Sequence, residues 1–135
     1  MKNVKSIGAV LFCGKEFLLL KYLAGHWDFV KGHVEPGENE IQTLKRELEE
    51  ETGINQIKLI PGFKEEISYF YKENKELVKK TAVFYLAESK QKEVRLSFEH
   101  NGYTWLNFND ALNLLTYKNS KEVLKKANET INSKI

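Results

Sequence analysis

The chain has 135 residues, 41% of them hydrophobic and 30% charged, with a formal net charge of +2. That length suits one domain with a core of its own, and so mild a charge excludes bulk electrostatics as a route to nucleic-acid binding. One cysteine, Cys13, excludes an internal disulfide framework and suits a reducing, cytoplasmic setting; no apolar run reaches membrane-span length, and the N-terminus lacks a signal-peptide pattern.

Two strands come first, SIGAVLF (6–12) and EFLLLKY (16–22), joined by a short turn at Gly14–Lys15. Cys13 then reads as a strand-end residue, not a nucleophile. A loop follows through AGHWDFVKGHVEPGE (24–38), punctuated by Gly25, Gly32, Pro36 and Gly37. Residues Asn39 to Glu51 predict a helix, with Asn39 as cap and Gln42 completing a capping box. Ile41, Leu44 and Leu48 give that helix its apolar stripe. QIKLI (56–60), FKEEISYFY (63–71) and KKTAVFYLAE (79–88) read as strands, the last two joined as a hairpin across KENKE (72–76). GYTWLNF (102–108) is a further strand. NDALNLL (109–115) and SKEVLKKANETI (120–131) are helical, the second with Ser120 as its cap. No repeat or linker divides the chain, so the pattern predicts one α/β domain over 1–135, a mixed sheet with helices packed on it.

The end of the first helix breaks a local rule. Gly53 is placed to close it, yet Glu47, Glu49, Glu50 and Glu51 crowd its last turns, where the helix dipole disfavours acid. Glu47, Glu50 and Glu51 share a face at i, i+3, i+4, and like charges at that spacing repel. Lys45 and Arg46 precede them, the poorer order for i,i+4 pairing, so ion pairs do not obviously relieve the crowding. A divalent cation does. Clustered carboxylates are hard oxygen ligands that suit Mg²⁺, with Mn²⁺ as the alternative, whereas His26 and His33 lack a zinc spacing. Lys31 and His33, in the loop ahead of the helix, suit anionic oxygen.

Residues Gly32 to Ile54, GHVEPGENEIQTLKRELEEETGI, resemble the Nudix box of the Nudix hydrolases. The family pattern asks for Gly, Glu six positions on, then Arg-Glu-aliphatic-any-Glu-Glu-any-Gly-aliphatic. Gly32, Glu38, Arg46, Glu47, Leu48, Glu50, Glu51, Gly53 and Ile54 answer it. Seven of these are single-residue requirements, so a chance match at a given start is about one in 10⁸ at ordinary residue usage. FLLLKY, WDFVKGHVEPGE and VRLSFEHNGYTWL extend the likeness toward the family's asymmetrical diadenosine tetraphosphate hydrolases. Two departures stand out: Val30 replaces a usual proline, and the YKENKELVKK hairpin is longer.

The resemblance implies an α/β/α sandwich and attack of water on a phosphorus of diadenosine tetraphosphate, or a related dinucleoside polyphosphate, giving ATP and AMP. It implies Gly32 (through its carbonyl), Glu47, Glu50, Glu51 and Glu99 as metal ligands. Glu47 is a catalytic base or a bridging ligand, and Arg46 orients the glutamates. Lys31 and His33 are implied to contact phosphate, Tyr69 and Tyr103 to sandwich an adenine, and Glu38 to tie the loop to the helix. Lys72, Lys75, Lys79 and Lys80 form a candidate basic rim. Two other readings compete: a Nudix enzyme acting on RNA 5′ ends or another nucleoside diphosphate derivative, and a nucleotide-sensing module without catalysis. A monomer is expected, with no membrane partner.

Overall fold

The computed structural model describes residues 1–133. Strand β1 (Lys2–Cys13) lies in the middle of a mixed sheet, and Ser6 to Phe12 are all buried. A continuous apolar run covered on both faces is what a central strand requires. β1 pairs antiparallel with β2 (Glu16–Tyr22) and β4 (Val30–His33), and parallel with β6 (Glu76–Ser89). β5 (Ile57–Glu73) extends the sheet beyond β6, while β3 (Trp27–Asp28) and β7 (His100–Leu106) flank β2.

The period-2 alternation of strand side chains divides the core in two. Ile7, Ala9, Leu11, Val83 and Ala87 meet Leu44 and Leu48 of α1 (Glu40–Thr52). Val10, Phe12, Phe84 and Leu86 meet Ala111 of α2 (Phe108–Leu114) and Val123, Leu124 and Ala127 of α3 (Lys118–Asn132). The result is the expected α/β/α sandwich in one domain. Each fully buried Leu, Ile or Phe contributes about 1.5–3 kcal/mol, so the strands beside the site rest on a stiff base.

Helix α1 keeps its predicted ends. Asn39 accepts from the Gln42 amide at 2.8 Å and Gln42 accepts from the Asn39 amide at 2.9 Å, a complete capping box. Gly53 closes the helix at φ 75°, a left-handed conformation that any other residue adopts with strain.

Three expectations change. The loop over 24–38 contains β3 and β4, because its apolar residues Phe29 and Val30 are core. QIKLI and FKEEISYFY are one strand with a register shift between Leu59 and Lys64, a bulge where Pro61 has no amide to donate. Ser120 does not cap α3. That helix starts at Lys118, and Ser120 is buried in its first turn, donating to Asp28 Oδ1 at 2.9 Å. A buried carboxylate demanded the hydroxyl more than the helix end did.

Candidate active site

Helix α1 and strand β4 build one wall of a cavity of about 860 Å³. Gly32 of β4 lies so close to α1 that a Cβ there would fall inside the Glu47 carboxylate. The missing side chain is what admits Glu47. Gly32, Glu47, Glu50, Glu51 and Glu99 all line the cavity, so the structure brings the whole proposed ligand set to one space.

Arg46 organises this wall. Its Nε donates to Glu38 Oε2 at 2.6 Å, its Nη1 to Glu47 Oε1 at 2.8 Å and Glu50 Oε2 at 3.1 Å, and its Nη2 to the His33 carbonyl at 2.9 Å. The sequence expectation that ion pairs leave the crowding unrelieved is therefore corrected: Arg46 reaches Glu50 at i+4 and Glu47 besides. Glu38 also accepts from the Glu35 amide and the Thr43 hydroxyl, tying loop to helix, and the Arg46 guanidinium holds its carboxyl down at about 2.

Arg46 does not reach Glu51. That carboxylate is buried, accepts from Ser97 Oγ at 3.0 Å and lies 2.8 Å from His100 Nδ1. Burial above all pushes its pKa up to about 7, with the Glu99 and Glu47 charges adding and the Ser97 hydroxyl opposing. Burial also raises Glu47, against the pull of Arg46.

Two buried carboxylates made basic by desolvation, beside two more and a backbone carbonyl, form an all-oxygen donor set short of positive charge. These residues fit a divalent cation. Among the described residues no three of these side chains are gathered closely enough to hold an ion as they stand, and Glu50 is turned onto Arg46. Glu50 is half-exposed, so releasing that pair is cheap.

The rest of the lining comes from β3, from Lys31 and His33 of β4, from the β5–β6 hairpin and from the start of α3. Lys31 lines the cavity with its Nζ 3.0 Å from Asp28, which is itself buried and accepts from the Phe29 amide and Ser120. His33 stands at the cavity mouth, largely exposed, and partial desolvation of its ring and then the Lys80 charge lower its pKa. Tyr69 and Lys80 face each other across the hairpin, and both line the cavity. Lys80 is lowered by burial and then by Lys31. Tyr103 is not brought there: it is exposed on β7, opposite Leu20, away from the lining residues.

The sequence reading passed over several cavity residues. Tyr117 and Asn119 line the cavity where α3 begins. Tyr22 stacks on His26 at 4.6 Å and meets His100 edge-on at 4.4 Å, while His26 reaches Tyr117 at 5.3 Å. Asp28 carried a signal, an acid among apolar residues in WDFV; Tyr117 carried none.

Fold and site together define an α/β/α protein whose cavity gathers carboxylates on one wall and cations and aromatic rings on the other. The NUDIX domain model matches residues 2–127, and the chain belongs to the Nudix family, whose members typically use a divalent metal. The asymmetrical bis(5'-nucleosyl)-tetraphosphatase of Sus scrofa is 44% identical over 120 residues, covering 84% of this chain and 79% of that protein. The protein of the same name from Caenorhabditis elegans is 36% identical over 132 residues, 91% of this chain and 93% of that one. A crystal structure of a C. elegans Ap4A hydrolase binary complex matches with a TM-score of 0.85 at 32% identity, over 96% of this chain and 98% of the other. No helix among the described residues is long and apolar enough to cross a membrane.

Proposed function

We propose that the protein is an asymmetrical dinucleoside tetraphosphate hydrolase that uses Mg²⁺, cleaving diadenosine tetraphosphate into ATP and AMP. The observation that carries this reading is the buried Glu47–Glu51 pair sharing one cavity with Lys31, Lys80, Tyr69 and Tyr117. The named relatives support the substrate.

When bound, the metal supplies neutralisation of phosphate charge and acidification of water. Gly32 O, Glu50, Glu51 and Glu99 would hold it. Glu47, made more basic by burial and aimed by Arg46 at 2.8 Å, takes the proton of the attacking water. Lys31, steadied by Asp28, meets the polyphosphate with Lys80 and His33. One adenine stacks on Tyr69, with Tyr117 as the second ring at the cavity in place of Tyr103. A three-and-one division of the four phosphates requires an outer anhydride to lie at the carboxylate wall.

Product analysis tests this. Incubation with diadenosine tetraphosphate and Mg²⁺ gives ATP and AMP in equal amounts; two ADP molecules, no turnover, or a preference for triphosphorylated RNA ends overturns it.

A further inference from the structure

Asp28 is a buried acid where β3, β4 and α3 meet. Its side chain is 1% exposed, and a carboxylate so placed is tolerated only where its oxygens are matched. Here both are. Oδ1 accepts from the Phe29 amide at 2.8 Å and from the Ser120 hydroxyl at 2.9 Å, while Oδ2 accepts from Lys31 Nζ at 3.0 Å. A second tie runs beside the first. The Trp27 amide donates to the Thr116 hydroxyl at 2.8 Å, and the Thr116 amide donates to the Trp27 carbonyl at 3.2 Å.

These bonds join parts of the site that are distant in sequence. Lys31 directly precedes Gly32, the residue whose missing side chain admits the Glu47 carboxylate. Thr116 and Ser120 bracket Tyr117, which lines the cavity where α3 begins. A continuous line of contacts therefore runs from Glu47 through Gly32, Lys31 and Asp28 to the turn carrying Tyr117. Asp28 is too buried to grip a substrate itself. What it holds is the span between the carboxylate wall and the aromatic end of the cavity.

We propose that Asp28 is a positioning residue that sets the register of cleavage: by holding Lys31 and the start of α3 at one separation, it fixes which phosphorus of the bound chain lies at the carboxylate wall. This rests on the reading of the site as a dinucleoside tetraphosphate hydrolase with a base at Tyr117. The base is stacked at one end of the span and the water is held at the other, so the span counts the phosphates between them. With an outer anhydride at the wall, the water oxygen bonds to phosphorus, one P–O bond of that anhydride breaks, and ATP and AMP leave. A slip of one phosphate brings the central anhydride there, and the same single water gives two ADP. A rigid span excludes the slip, and a loosened one admits it.

The products formed early from diadenosine tetraphosphate and Mg²⁺, separated by chromatography, test the register. Asp28→Asn keeps an acceptor for the Phe29 amide and Ser120 but sets an amide against Lys31, which is freed. Ser120→Ala keeps the Lys31 pair and frees α3. Val123→Ala is the packing control, because it shortens a buried side chain of the same helix and touches neither bond. The ratio of ADP to ATP rises about tenfold or more over the parent in Asp28→Asn and less in Ser120→Ala. Val123→Ala lowers Tm and keeps the parent ratio. An unchanged ratio in a folded Asp28→Asn or in Ser120→Ala, whatever the loss of rate, overturns the proposal. So does an equal rise in Val123→Ala. Should Asp28→Asn fail to fold, Ser120→Ala decides alone. A parent that yields mainly ADP, or nothing, removes the hydrolase reading and this proposal together; a parent giving ATP and AMP with unchanged variants removes the proposal only.

Discussion

The two walls of the cavity are built on different principles. On the α1 wall, Arg46, Glu47, Glu50 and Glu51 fall within six consecutive positions of one helix, and a single guanidinium spans Glu38, Glu47 and Glu50. In the rest of the lining, Lys31, Tyr69, Lys80 and Tyr117 come from β4, β5, β6 and the start of α3, and Lys31 is steadied by a buried Asp28, one of whose other partners, Ser120, lies 92 positions away. The first wall is a local device, dictated by helical geometry. The second is made by the fold. The proposed chemistry belongs to the first, and the proposed recognition of the substrate to the second.

Substitutions sharpen that contrast. The largest effect is expected on the α1 wall, where Glu47→Gln lowers kcat/KM by about 10²–10⁴, the range of a lost acid–base group. Glu50→Gln abolishes turnover alongside it. A drop below tenfold for Glu47→Gln would move the base elsewhere. On the other wall the expected change is in KM: Tyr69→Ala and Tyr117→Ala each raise it about tenfold, within the 1–3 kcal/mol of a stacked base, with kcat nearly kept. Tyr103→Ala is the internal control and leaves both constants alone. A Tyr103 effect as large as that of Tyr117 would restore the sequence expectation.

Smaller effects appear in stability without metal. Glu51 is raised from an ordinary 4.5 to about 7, so in that window the folded protein binds more protons than the unfolded chain. Its contribution to stability is therefore present at low pH and lost as pH rises through about 7. His26, His33 and His100 are lowered by burial and tilt the curve the other way below their ordinary 6.5, but they do so in parent and variant alike. In chelator, Glu51→Gln thus gains in Tm over the parent as pH goes from 5 to 8. A pH-independent gap contradicts the assigned burial. Smallest of all, Glu50→Gln in chelator shifts Tm by less than about 3 °C, since an exposed Arg46 pair and relieved repulsion nearly cancel.

Legibility in the sequence follows the same division. Strands β1 and β2, helix α1 with both its caps, and the carboxylate cluster were readable because periodicity and spacing are local. What was not readable depended on burial. Ser120 looks like a helix cap in isolation and becomes a donor to Asp28 only when α3 docks beside β3. Phe29 and Val30 looked like loop residues until their partners in the core were known. Tyr117 has no motif around it, and its presence at the cavity is set by where α3 starts. The orienting role implied for Arg46 agrees with its bonds to Glu47 and Glu50, but its relief of the crowding is not legible from pair order, because those rules describe isolated helices and not a side chain anchored by Glu38 and the His33 carbonyl.

The most direct measurement is a crystal of the protein soaked in Mn²⁺, examined by anomalous scattering. The account requires a strong peak among Glu50, Glu51 and Glu99, close to the Gly32 carbonyl, with Glu50 swung off Arg46. Density that leaves Glu50 on Arg46 and no scatterer between the buried carboxylates contradicts it.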